Sequence, residues 1–177
     1  MLKRFFTSDR TPRWLLASMV TSLLAGCASA PLLPPLPPAS VATAVPARTT
    51  ALLNLGFEKT DDGYVLNLPG PLIFDTGSDT ISESAKTVLT TLAAQLRALN
   101  IESLRLFGHT DNVGTADFNL SLSSKRAEAI AVAMVGQGFS TDNLERRGFG
   151  FSRPVASNDT PEGRAQNRRV AVIVPFE

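Results

Sequence analysis

The spacing of apolar positions changes period several times between residue 61 and the C-terminus. After the turn formers Asp61-Asp62-Gly63, the run Tyr64-Val65-Leu66-Asn67-Leu68 alternates as a half-buried strand does. Thr80-x-x-Glu83 then reads as a capping box ahead of Ile81, Ala85, Val88, Leu89, Leu92, Leu96 and Leu99. Their offsets of three and four make one apolar helical stripe, and Asn100 predicts its end. Leu104-Arg105-Leu106-Phe107 predicts a second strand running straight into Gly108. Leu122, Ala127, Ile130 and Met134 give an amphipathic helix over residues 121–135, with Asn119 or Ser121 as its cap and Gly136 and Gly138 to stop it. Third and fourth strands are predicted at 144–148 and 170–174. Strands alternating with helices at this spacing imply an α/β (α+β) sandwich, with helices packed on one face of a small mixed sheet. No internal repeat is evident.

The first fifty residues follow other rules. Lys3, Arg4, Arg10 and Arg13 precede the apolar run 14–25, the layout of a secretory signal and too short to span a bilayer comfortably. The run ends in Leu24-Ala25-Gly26-Cys27, which resembles a bacterial lipobox. That resemblance makes residues 1–26 a signal peptide and Cys27 a lipidated mature N-terminus, anchored in a membrane by its acyl chains. Ala28 and Ser29 follow where an Asp would favour the inner membrane in similar lipoproteins, so the outer membrane is expected. Cys27 is the only cysteine, which rules out an intramolecular disulfide. Residues 27–50 form a proline-rich linker: Pro31, Pro34, Pro35, Pro37 and Pro38 favour extended polyproline II. Residues 51–177 remain for one compact domain.

Removing the signal changes the charge. The chain holds 17 basic and 16 acidic side chains, four and one of them in residues 1–26, so 13 and 15 remain, a net of −2. Nucleic-acid binding therefore has no electrostatic basis.

The candidate site lies where a strand runs out. Gly108-His109-Thr110-Asp111-Asn112-Val113-Gly114 sets a carboxylate in a Gly-bounded turn, and Arg126 follows fifteen residues later on a helix. Two turns into that helix, Arg126 leans back toward the helix N-terminus and its free N–H groups. Such a pair suits a ligand with an ammonium and a carboxylate on one carbon: Asp111 meets the first and the Arg126 fork the second. Taken singly, Asp111 could cap a turn and Arg126 could pair with Glu128 or Asp117.

The flanked His109-Thr110-Asp111, the run Asn119-x-x-Leu122-Ser123-x-x-Arg126-Ala127 and the run Asn167-Arg168-Arg169-Val170 occur in one order. In that order they resemble the OmpA-like peptidoglycan-binding domain, a βαβαβ fold, over residues 74–174. The resemblance implies that Asp111 and Arg126 contact diaminopimelate in the stem peptide of Gram-negative peptidoglycan. It implies that Thr110, Asn119, Leu122 and Arg168 line the groove, with Phe74 and Asp75 beside them. The run Phe74-Asp75-Thr76-Gly77-Ser78-Asp79 departs from the family pattern after Asp75. Short runs at 54–64 and 167–177 also resemble a signalling branch of these lipoproteins, which implies a periplasmic protein partner that regulates a diguanylate cyclase. His109, the only histidine, is expected to order its loop by hydrogen bonding. With no second histidine, usable cysteine or nucleophile elbow, neither a metal or cofactor nor an enzymatic activity is expected. Arg146, Arg147, Arg164, Arg168 and Arg169 form a basic cluster serving strand edges and helix ends, and whether Arg168 or Arg169 faces the ligand stays open.

Overall fold

The computed structural model describes residues 41–75 and 78–176, with only the backbone course given for 41–46. The signal segment 1–26, Cys27 and the proline run up to Pro38 lie outside the described residues.

Five strands form one mixed sheet. They are β1 (Glu58–Thr60), β2 (Gly63–Pro69), β3 (Leu104–His109), β4 (Leu144–Gly148) and β5 (Arg169–Val174), in the order β1-β2-β5-β3-β4. β3 and β4 run parallel, and the other neighbours are antiparallel. The helices are α1 (Val41–Asn54), α2 (Gly70–Ile73), α3 (Glu83–Ala98), α4 (Ala116–Gly136) and α5 (Pro161–Asn167). Central β5 sends Val170, Val172 and Val174 into the core with Leu68 of β2 and Leu104 and Leu106 of β3. Leu89, Leu92 and Leu96 of α3 and Ala127, Ile130 and Met134 of α4 close that core, as the 3.6-residue spacing requires. The predicted sandwich, with helices on one face of a mixed sheet, is the observed architecture.

Element ends differ from expectation for local reasons. Residues 41–50 are helical, so the extended arm does not reach Thr50. Past Pro38 the prolines thin out to Pro46 alone, alanines and leucines take over, and Leu52 is buried in the core. β1 carries no apolar alternation: all three of its residues are exposed. The cap of α3 is Ser82, whose extended backbone lets its Oγ accept from Ala85 N at 3.3 Å. Thr80 and Ile81 lie outside that helix, Ile81 bridging back to Phe74. Asn100 ends the segment with φ of 56°, a left-handed conformation that asparagine tolerates. α4 begins at Ala116, capped by Thr115 Oγ1 accepting from Phe118 N at 3.3 Å; neither Asn119 nor Ser121 is the cap.

Candidate functional site

β2 and β3 end, and β5 begins, at one pole of the sheet, where the chain leaves a groove of about 480 Å³. All eight residues singled out from the sequence line it: Phe74, Asp75, Thr110, Asp111, Asn119, Leu122, Arg126 and Arg168. Arg164, Phe118, Val113, Gly70 and Pro71 join them. Arg164 stood in the expected basic cluster without a role; the other four carry no charge pattern that marks a site.

Close backbone approach makes the groove. A Cβ on Gly108 would run into the Ser123 carbonyl of α4, and one on Gly148 into Ser124. Ser123 Oγ in turn accepts from Gly150 N at 2.9 Å. Glycine and serine therefore let α4 press onto the ends of β3 and β4, which brings Arg126 beside the Asp111 loop. On the other wall, Gly70 N donates to Arg168 O at 2.6 Å and fixes α2 against the start of β5.

Asp111 is buried and doubly engaged. Its Oδ1 accepts from Val113 N at 3.2 Å and its Oδ2 from Arg168 Nη1 at 2.7 Å. The turn-capping role and the groove-facing position thus belong to the same carboxylate. Arg126 is held differently. It sits about three turns into α4, so the helix N-terminus is out of its reach, contrary to expectation. Its Nε donates to Ser78 O at 3.0 Å, and its guanidinium lies 5.1 Å from the Phe74 ring centroid. Neither Glu128 nor Asp117 pairs with it, and Glu128 meets Arg146 at 3.6 Å instead. Among the described residues no carboxylate forms an ion pair with Arg126, although the side chain is only 6% exposed. Burial pulls its pKa below the usual arginine value, Asp79 and Asp111 oppose that pull, and Arg168 adds to it.

The lesser members divide by chemistry. Thr110 Oγ1 is buried with no hydrogen-bond partner among the described residues, on the groove lining. Asn119 uses its amide nitrogen on Val113 O at 2.9 Å and Thr115 O at 3.1 Å, so it fastens the Asp111 loop. Leu122 gives half-buried apolar lining and Asp75 an exposed carboxylate, while Phe74 is both core and platform for Arg126. Arg168 faces Asp111, whereas Arg169 turns to the opposite face of the sheet and donates to Asn67 Oδ1 at 3.1 Å. Asn167, also fully buried, accepts from Val155 N and Ala156 N and bolts down the loop before α5.

His109 departs from expectation. Among the described residues its buried Nδ1 has no partner, and the ring stacks on Phe149 at 5.5 Å. Burial, with Arg169 and Arg153 nearby, lowers its pKa to about 3, so the ring is neutral at ordinary pH. Among the described residues no helix is long and apolar enough to cross a membrane, and no group of three His, Cys, Asp or Glu is placed to hold a metal ion.

Comparison with known proteins gives the family. The OmpA family model matches residues 73–168, which include every groove residue singled out above except those of α2. The chain is 39% identical over 167 residues to the outer-membrane lipoprotein YfiB of Pseudomonas aeruginosa, covering 94% of this chain and 96% of that one. Among solved structures it resembles the peptidoglycan-associated lipoprotein of Burkholderia pseudomallei at 30% identity and a TM-score of 0.52, over 58% of this chain and 86% of that one. The cell wall anchor of the type VI secretion system of Pseudomonas aeruginosa superposes with a TM-score of 0.61 at 26% identity, over 74% and 96% of the two chains. Fold, motif order and alignment agree, and the chain belongs to the OmpA family.

Proposed function

We propose that this chain is an outer-membrane lipoprotein, anchored through Cys27, whose periplasmic domain binds peptidoglycan without cleaving it. The ligand group is the free amino-acid end of diaminopimelate. The observation that carries this reading is Arg126: a nearly buried residue, in a groove, that makes no ion pair among the described residues, with Asp79 and Asp111 acting on it only from a distance. Keeping a charge buried and unpaired is costly, and an incoming carboxylate offsets that cost. The adjoining ammonium meets Asp111, which shares its oxygens between that group and Arg168, and the unpartnered Thr110 hydroxyl adds a hydrogen bond. Each contact is reversible, so holding envelope to wall relies on many such proteins acting together.

Sedimentation with purified sacculi tests this. The soluble domain, residues 38–177, should cosediment, and Asp111→Ala and Arg126→Ala should each remove most of the binding. Free diaminopimelate should compete, whereas lysine, lacking the distal carboxylate, should compete poorly. If both variants are folded by circular dichroism and sediment like wild type, the clamp is wrong.

A second reading is supported by the alignment with YfiB, which extends past the OmpA match into the N-terminal third of the chain. In that reading the lipoprotein sequesters a periplasmic repressor and so activates a diguanylate cyclase. Co-purification of one stoichiometric periplasmic protein with the full-length chain favours it, and its absence favours the passive tether.

A further inference from the structure

The groove holds a cation that the clamp leaves over. Arg126, Arg164 and Arg168 line it, and the clamp uses Arg126 for the ligand carboxylate while Arg168 already pairs with Asp111. Arg164 has neither role. Its Nη1 donates to Asn158 O at 2.8 Å and Asp159 O at 3.1 Å, two carbonyls that orient the guanidinium without neutralising it. Among the described residues no carboxylate forms an ion pair with it. Asp75, the remaining acid of the lining, is exposed to water. The support beneath Arg164 is rigid: Gly163 packs against the Ser157 carbonyl, Thr160 Oγ1 caps α5, and buried Asn167 fastens the preceding loop.

A zwitterionic amino-acid end brings one ammonium and one carboxylate, which leaves Arg164 unmatched. A ligand with a further carboxylate matches it, and a guanidinium already oriented loses little rotamer freedom on binding. Building on the function proposed above, we infer that Arg164 forms a second carboxylate subsite, so that the groove selects a stem peptide bearing one carboxylate beyond the clamped end of diaminopimelate. Two groups of an uncross-linked stem can supply it: the α-carboxylate of the glutamyl residue, or the C-terminal carboxylate.

Calorimetry on the full-length chain in detergent separates these sources with three alanyl-γ-glutamyl-diaminopimelate tripeptides. One is unmodified, one is amidated at the glutamyl α-carboxyl, and one is amidated at the C-terminal carboxyl, the distal amino-acid end staying free in all three. Wild type should bind the unmodified peptide about tenfold more tightly than one of the two amides, which identifies the source. Arg164→Gln should bind the unmodified peptide no better than that amide, and Arg164→Lys should restore part of the difference. Equal affinity of wild type for all three peptides overturns the inference. So does an Arg164→Gln variant that keeps the discrimination, or one that weakens every peptide alike, which marks a merely structural residue. If no tripeptide binds wild type, this inference and the clamp both fall; if Asp111→Ala abolishes sedimentation with sacculi while the amides bind normally, only the second subsite falls.

Discussion

His109 and Arg169 are neighbours across β3 and β5, on the sheet face away from the helices, and both have pKa values lowered by burial. For His109 the consequence is a pH dependence of stability. The unfolded chain takes up a proton near pH 6.5, whereas the folded chain resists it down to about 3, so between those values the unfolded state holds more protons. The stability contribution is complete above pH 6.5 and is lost progressively as pH falls toward 3. His109→Phe keeps an aromatic ring against Phe149 and removes the titration. Urea midpoints of wild type should fall between pH 7 and 4 more steeply than those of the variant, and parallel curves would show that the ring does not contribute. The residue scale is also where sequence is least legible. Arg168 and Arg169 are equivalent as letters, and alternation sends them to opposite faces without saying which is which. In the fold Arg169 is out of step with Val170, Val172 and Val174, which face the core, and that phase has no local signature because all six residues of β5 are buried. Asp111 and Arg126, by contrast, are legible because each sits in a motif of its own, His109-Thr110-Asp111 directly after Gly108 and Asn119-x-x-Leu122-Ser123-x-x-Arg126 beyond it.

At the scale of elements, the groove depends on how closely α4 lies on β3. Gly108→Ala puts a methyl group against the Ser123 backbone, which cannot turn aside as a side chain could. The variant should lose about 1–3 kcal/mol in urea unfolding and bind sacculi more weakly, because Arg126 and the Asp111 loop move apart. Ser123→Ala, which removes the bond from Gly150 N and the one that Ser123 Oγ donates to Leu120 O, should lose about 1–2 kcal/mol. A Gly108→Ala protein with wild-type stability would mean that the crossing tolerates a wider spacing. The helix itself was readable from Leu122 onward, where its apolar stripe begins, and not from its true start. Phe118 and Leu120 in its first turns are exposed, so they break the amphipathic pattern while the Thr115 cap still holds the backbone. β1 has no legible pattern for the same reason: pairing with β2 makes it a strand, and no side chain of its own is buried. α1 follows closely on the prolines 31–38 and itself contains Pro46, so composition does not mark where it starts.

At the scale of the whole domain, the groove and α1 lie at opposite poles. Thr49 and Leu52 of α1 pack near Tyr64, Val174 and Phe176, where β2 begins and β5 ends, with Thr49 Oγ1 2.8 Å from the Tyr64 hydroxyl. The groove lies at the other ends of those strands, and a six-residue strand such as β5 separates the poles by about 20 Å. With α1 packed at one pole, the groove is open at the other, where the proposed function needs it to meet the wall. By composition alone, the five prolines among residues 29–38 predict polyproline II, whose rise over ten residues is about 31 Å. Deleting these ten residues should leave the binding of the detergent-solubilised full-length chain to sacculi unchanged, because no groove residue is touched. If the chain is lipid-anchored and binds the wall as proposed, the deletion should sharply reduce its chemical cross-linking to peptidoglycan in cells, since the domain would no longer reach the wall at a useful effective concentration. Replacing the ten residues with glycine and serine keeps contour length but not stiffness, and should restore cross-linking only in part. Undiminished cross-linking after the deletion would mean that the domain meets the wall without an extended arm, and the tether would have to be drawn from elsewhere in the chain.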